Sequence, residues 1–256
     1  MKELQDIEQI FALPQIAKWL AIATVAGILC GTASAALLAS LEWATNWREA
    51  HLWIIALLPL GGLLSGLIYH YFGKSVEAGN NLLLEEIHHP KQVIPLQMAP
   101  LVLLGTVMTH FFGGSAGREG TALQMGASLA DQLTRLLQLK DTDRRILLMA
   151  GISGGFASVF GTPLAGAVFG LEVLEIGKIR YDGLFPCMVA AIVGDYVTLK
   201  WGIHHTDYRL ASVPSISLED FSGSSAALLS AVIAGAVFGL VALLFAEATH
   251  RIGYVF

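Results

Sequence analysis

Long apolar runs separated by short polar stretches set the pattern of this chain. Residues 16–41 carry a single charge, Lys18, and residues 52–72, 92–115 and 146–171 carry none, although Pro163 interrupts the last of these. Residues 185–199 hold only Asp195, and residues 222–246 are again uncharged. A helix crosses a bilayer in about 20 residues, so most of these runs are long enough to span, and about six spans are predicted. A spanning segment must satisfy its own backbone hydrogen bonds, so the spans are helices and the fold is all-α and polytopic.

Ahead of the first run, residues 2–12 mix charge with Leu4, Ile7, Ile10 and Phe11, the spacing of a short helix lying at the membrane surface. The run that follows is too long for a secretory signal and ends in no small-residue cleavage site. Residues 1–14 are therefore read as a surface helix, 15–202 as a first transmembrane repeat, 203–223 as a connector and 224–256 as the first helix of a second repeat. The connector is polar, with His204, His205, Asp207, Arg209, Pro214 and Asp220. The repeat itself rests on Val25-Ala-Gly27-Ile-Leu-Cys-Gly31 and Ile233-Ala-Gly235-Ala-Val-Phe-Gly239, each running into Ala/Leu-rich sequence and a Glu-Ala-Thr-like end. Small residues at this spacing also serve ordinary helix packing in membranes, so chance accounts for the likeness equally well.

Two glycine-rich stretches break the helical pattern. One is Gly79-Asn80-Asn81, followed by an apolar segment too short to span; the other is the string from Gly113 to Thr121. Broken helices at membrane depth are tolerated only where their freed backbone groups line a cavity or are buried in protein. Short or glycine-interrupted apolar segments are also the best sequence pointer to a transporter's binding site.

Composition agrees with the pattern. Apolar residues make up 55% of the chain, charged residues only 14%, and mean hydropathy is +0.64. A soluble domain carries about a quarter charged residues. The net charge of −5 supplies no basic surface, so nucleic acid is not an expected partner. Cys30 and Cys187 each lie inside an apolar run and read as small buried residues.

Within the second break, Arg118 and Glu119 sit where charge costs on the order of a few kcal/mol, which makes them functional candidates. The bland alternative is an ion pair that braces the turn, but adjacent residues pair poorly. Gly113, Gly114, Gly117 and Gly120 free the backbone to aim N–H groups at one point, and a helix starting near Glu119 directs its positive end there. That is an anion site. A nucleotide-binding phosphate loop is excluded, since the Gly-Lys-Ser/Thr ending is missing. Glu85 and His89 are four apart on a helix but have no third ligand nearby, so no metal and no cofactor is expected. Met98, Met108 and Met125 read as packing residues. An intramembrane enzyme using Glu119 and His110 lacks a nucleophile–base–orienter set, so no enzyme is expected.

Gly117-Arg118-Glu119-Gly120 resembles the GREGP signature of the CLC chloride channels and anion/proton antiporters. Gly79-Asn80-Asn81-Leu82-Leu83 falls where that family has its GSGIP motif, and residues 150–166, ending Gly-Thr-Pro-Leu-Ala-Gly, resemble its Asn-Ala-Pro-Leu-Ala-Gly stretch. The likeness runs from about Gly27 to Gly202, in order and spacing. It implies the CLC inverted-repeat fold with re-entrant half-helices beginning near Asn80 and Gly120 and converging within the membrane. It also implies Glu119 as gating and proton-carrying glutamate, with Asn80, Asn81, Gly117, Arg118, Gly120 and Thr121 around the anion.

Three departures refine the expectation. Asn80 stands for the family's anion-coordinating serine, Thr121 for the proline after GREG, and Val173, beside Glu172, for the internal proton-transfer glutamate. This combination resembles the fluoride/proton antiporter branch, which implies fluoride export coupled to proton entry across a bacterial inner membrane; a chloride channel or chloride/proton antiporter is the alternative. Glu86 aligns with a buried family glutamate and is expected beside Arg118. The family's GxFxP motif and anion-contacting tyrosine have no counterpart, so the chain is expected to be the N-terminal half, and a non-transporting membrane fragment is the reading from another class. The resemblance further implies a homodimer in the bilayer, its surface drawn from residues 162–174 and 185–199 with small residues such as Gly166, Gly170, Ala190, Ala191 and Gly194.

Overall fold

The computed structural model of the protein describes residues 2–173, 180–205 and 221–253; residues 206–220 of the expected connector lie outside them. The described residues are helices and their connections, with no strand. In chain order they are α1 (Lys2–Ala50), a 3-10 turn (Leu52–Leu57), α2 (Leu58–Phe72), α3 (Asn80–His88), α4 (Met98–Phe111), α5 (Glu119–Leu137), α6 (Asp141–Phe160) and α7 (Pro163–Glu172). A second 3-10 turn (Tyr181–Gly183), α8 (Leu184–Lys200) and α9 (Phe221–Gly253) follow. The chain divides into two units, residues 1–206 and 207–256; the second contributes α9, whose residues 228–252 are apolar and long enough to cross a membrane.

The apolar runs resolve into spans of two kinds. Among the described residues four helical segments have the length and composition to cross a bilayer: Leu13–Ala50, Leu52–Phe72, Tyr181–Lys200 and Leu228–Ile252. The runs at 92–115 and 146–171 are not single spans. The first yields only Met98–Phe111, because Pro95 and the Gly113-Gly114 turn bracket it. The second is cut at Gly161, which takes φ 69° and caps α6, after which Pro163 opens α7 at a position where its missing N–H costs nothing. No break separates residues 1–14 from the first span; the helical backbone runs on from Lys2 to Ala50.

Helix α6 is the buried axis of the first unit, packed by α1, α5, α7 and α8. Its contact with α5 depends on glycine: a methyl on Gly126 would overlap the Gly151 carbonyl, so the two backbones touch directly. The α1–α8 contact follows the same rule at Gly31 and Gly194, and Thr198 Oγ1 donates to the Gly31 carbonyl at 3.0 Å. Met98 and Met125 lie in the apolar core, as packing residues do.

The small residues expected at a surface between subunits are used inside this chain. Gly166 packs on Ala157, Gly170 on Ser153 and Gly194 on the Gly154 carbonyl, while Ala190 and Ala191 have no exposed surface. What α7 and α8 leave exposed is larger: Leu164, Val168, Phe185, Ile192, Tyr196 and Leu199.

Candidate anion site

The two glycine-interrupted stretches meet. Helix α3 begins at Asn80 and α5 at Glu119, and Gln124, one turn into α5, donates from Nε2 to Asn80 Oδ1 at 3.0 Å. With its oxygen taken, the Asn80 amide turns its NH₂ toward Gly120; a methyl on Gly120 would stand 3.3 Å from Asn80 Nδ2. Gly79 holds φ 56°, the left-handed conformation that lets the chain enter α3 at this angle. Asn80, Asn81, Gly117 and Glu119 are all exposed, so the meeting point is open on one side.

The donors are unevenly available. The first backbone bond of α5 runs from Ala122 N–H to the Arg118 carbonyl, at 3.0 Å, and no side chain caps the helix. The N–H groups of Glu119, Gly120 and Thr121 precede that bond and form the positive end of a nineteen-residue helix. At α3 the Asn81 and Leu82 N–H groups are tied to the Ala78 and Gly79 carbonyls at 3.0 and 3.1 Å, and the Asn80 side chain adds donors beside them. Thr121, expected near the anion, is buried, and its hydroxyl shares a hydrogen bond with Thr106 Oγ1 at 2.6 Å. Only its backbone faces the site. The hydroxyl pins the first turn of α5 to α4, a place where proline would have no partner to offer.

Glu119 folds its carboxylate back over Gly117: Oε2 lies where a side chain on Gly117 would begin. Glu119 is in the first turn of its own helix, whose positive end favours a carboxylate. Arg118 points elsewhere, its guanidinium 5.5 Å from the centre of the Phe160 ring, and it pairs with neither Glu119 nor Glu86 among the described residues. Glu86 was expected beside Arg118. It is instead held by Arg144, Nη1 to Oε2 at 3.0 Å. The same guanidinium takes Asp131 in a two-pronged contact, Nε to Oδ1 at 2.9 Å and Nη2 to Oδ2 at 2.8 Å, with all three side chains at 5% exposure or less. Glu86 lies on α3 and Asp131 on α5, so a single arginine of α6 fastens together the two helices whose starts form the site.

Sequence reasoning had not singled out Gln124, Thr106, Asp131 or Arg144. Gln124 had a signal: it is the polar residue four places after Gly120 on a helix otherwise apolar at that depth. Asp131, inside α5, and Arg144, near the start of α6, carry no local signal of burial, and only the packing shows them to be buried. Glu85 takes Lys91 at 2.5 Å in an exposed pair, and His110 Nδ1 lies 2.9 Å from the Thr106 carbonyl, one helical turn back.

Residues 61–256 match the model of the voltage-gated chloride channel family. The chain belongs to that family. It is 57% identical over 253 residues to a protein of Pseudomonas syringae pv. tomato described as a chloride/fluoride channel protein, covering 99% of this chain and 54% of that one. An uncharacterized protein of Methanocaldococcus jannaschii is 32% identical over 81% of this chain and 50% of its own length. Among solved structures, a CLC-type fluoride/proton antiporter superimposes with a TM-score of 0.73 at 33% identity, covering 78% of this chain and 51% of that one. A slow cyanobacterial Cl⁻/H⁺ antiporter gives 0.66 at 21% identity and shares the fold. The chain thus spans about half the length of the relatives it matches.

Proposed function

We propose that this chain supplies the N-terminal half of a CLC anion pathway, with fluoride leaving the cell in exchange for protons. The convergence of the Asn80 amide with the unbonded N–H groups at the start of α5 carries the reading. It gathers donors for a small anion while the guanidinium of Arg118 is turned to Phe160, so an anion is held without being trapped by a permanent charge. Glu119 opens the same helix, so its carboxylate, turned to those donors, competes with the anion for them. Protonation removes the competitor, and linkage then ties anion occupancy to proton occupancy. An amide at position 80, with its oxygen fixed by Gln124, offers NH₂ hydrogens to fluoride, a halide that makes strong hydrogen bonds.

The charge distribution orients the unit. Lys18 reaches Asp143 at 2.5 Å at the start of α6, and Arg145 of the same turn donates to the His88 carbonyl at 2.7 Å, so Lys18, Lys140, Arg145 and Lys91 gather at one end. The other end of α1 carries Arg48 among Trp43, Trp47 and Phe111. Excess lysine and arginine face the cytoplasm and an aromatic belt marks the interface, which puts the Lys18–Asp143 end inside. The homodimer belongs to this reading too, through the exposed apolar side chains of α7 and α8.

The test is reconstitution into lipid vesicles with fluoride- and chloride-selective electrodes and an imposed pH gradient. Fluoride flux that drives uphill proton movement, abolished by Glu119→Gln, is the expected result. Chloride flux with fluoride excluded would move the chain to the chloride branch. Neither binding nor movement of either halide would end the transport reading.

A further inference from the structure

We propose that Phe160 is a positioning residue for the anion site: its ring holds the Arg118 guanidinium aside, so that this charge does not clamp a bound halide. The inference rests on the transport reading above. Arg118 is the N-cap of α5, one residue before Glu119, and its guanidinium carbon stands 5.5 Å from the centre of the Phe160 ring. Among the described residues its side chain makes no hydrogen bond and no ion pair, so the ring is the contact that places it. A guanidinium keeps its charge in proteins and lies well on an aromatic face.

Two helix ends decide where that charge rests. The start of α5 is positive, because its first N–H groups precede the bond from Ala122 N–H to the Arg118 carbonyl, and a cation is disfavoured there while no anion is present. Phe160 is the last residue of α6. Gly161 and Thr162 N–H both donate to the Ala157 carbonyl, at 2.8 and 3.3 Å, so the carbonyls after Ala157 have no helical partner and this end of α6 is negative. The ring itself is braced. Phe156 lies 4.6 Å from it, and Phe156 stacks in turn on Phe169 of α7, at 4.6 Å and 20°. It therefore does not follow the arginine when that side chain turns. An anion at the start of α5 reverses the balance there. The stem of Arg118 is rooted beside Glu119, so rotation about its own bonds carries the charge toward the site. Halide affinity is then set by a competition in which Phe160 holds one side, and the ring keeps affinity low enough for release.

The experiment uses the full chain in detergent micelles and reads fluoride binding by calorimetry in Phe160→Leu, with Phe160→Met as a second replacement should the first fold poorly. Affinity should rise about three- to fivefold at low ionic strength, the worth of one cation–π contact, and the gain should shrink as sodium gluconate is added. Phe160→Tyr keeps the ring and should bind as the wild type does. In an Arg118→Gln background, Phe160→Leu should have no effect. The same effect with and without Arg118, or weaker binding in Phe160→Leu, would show a packing role and overturn the proposal. Abolition of binding by Arg118→Gln alone would overturn it too, since the charge would already be holding the anion. A second measurement needs no halide. In protein labelled with ¹⁵N-arginine, the side-chain N–H signal of Arg118, assigned by its loss in Arg118→Gln, should carry a ring-current shift that disappears in Phe160→Leu. A signal unmoved by that substitution would sink the placement of Arg118 on the ring. Wild-type protein that shows the shift yet binds neither fluoride nor chloride would instead end the transport reading, and with it the role given to Phe160.

Discussion

Replacing Arg144 with methionine should cost this fold more than any exposed ion pair could. The guanidinium makes four hydrogen bonds: two to Asp131, one to Glu86 and one to the Gln92 carbonyl at 2.7 Å. Methionine fills the volume but leaves Asp131 at 0% exposure and Glu86 at 2% without their cation. Breaking a buried pair by removing one partner costs about 3–5 kcal/mol. The carboxylates keep some partners, since Ile94 N–H donates to Asp131 at 2.8 Å and Lys91 N–H to Glu86 at 2.9 Å, which places the expected loss near the lower figure. Asp131→Asn removes the charge and turns one accepting oxygen into an NH₂ that faces donors, and should cost about 1–3 kcal/mol, as loss of a charged hydrogen bond does. The double variant should fall short of the sum, because the two residues share one network. Reversible unfolding in mixed micelles, followed by circular dichroism, gives all three values. A loss below about 1 kcal/mol for Arg144→Met, the range of a surface pair, would refute the claim that this arginine fastens α3 to α5. Anion binding supplies a second readout, since loosening the two helices should weaken it even where the chain remains folded.

Gln124→Ala should weaken fluoride binding by about tenfold, one hydrogen bond's worth of amide orientation, with little change in thermal midpoint; calorimetry and a melting curve separate the two. Asn80→Ser should shift preference from fluoride toward chloride, read as the ratio of fluxes or affinities, and an unaltered ratio would remove Asn80 from selectivity. Single cysteines in α8 should crosslink between subunits at Phe185, Ile192, Tyr196 and Leu199 and not at Ala190, Ala191 or Gly194. Crosslinking equally at every position would rule out that face.

The long apolar runs made the helices legible, because a segment of 20 or so uncharged residues has few other fates. The site was legible for a different reason. Glycines and isolated charges are costly in apolar sequence, so Gly79-Asn80-Asn81 and Gly113–Thr121 stood out before any contact was known. Burial was harder to read. Arg144 follows the pattern of a solvated helix end, and nothing local distinguishes it from Arg145 or Asp143, which sit a residue away in less enclosed settings, while Asp131 lies inside α5 with no local sign of its partner. Their roles come from α3 and α5 arriving from distant parts of the chain. The same blindness explains the small residues of α7 and α8. Glycine and alanine at helical spacing announce close packing but not the partner, and here the partner is α6 or α1 of the same chain.

Thr121 shows how the departures from the family pattern fit together. A proline at the third position of α5 would fix the turn through its ring; a threonine there must be held by something else. Thr106 on α4 holds it, with both hydroxyls buried and 2.6 Å apart. The substitution also returns an N–H to the helix start, since proline has none, and this N–H is one of the three that precede the first backbone bond of α5. An asparagine donor at position 80 and an extra backbone donor at position 121 both enrich the site in hydrogen-bond donors without adding charge. A small, strongly hydrated anion needs that, because its lost water must be replaced by close donors on more than one side. Thr121→Pro, made together with Asn80→Ser, should therefore reduce fluoride affinity more than either change alone while leaving chloride binding within about threefold, each change being worth roughly one hydrogen bond. If fluoride and chloride affinities fall in parallel, the two departures serve the packing of α4 on α5 and not the choice of anion.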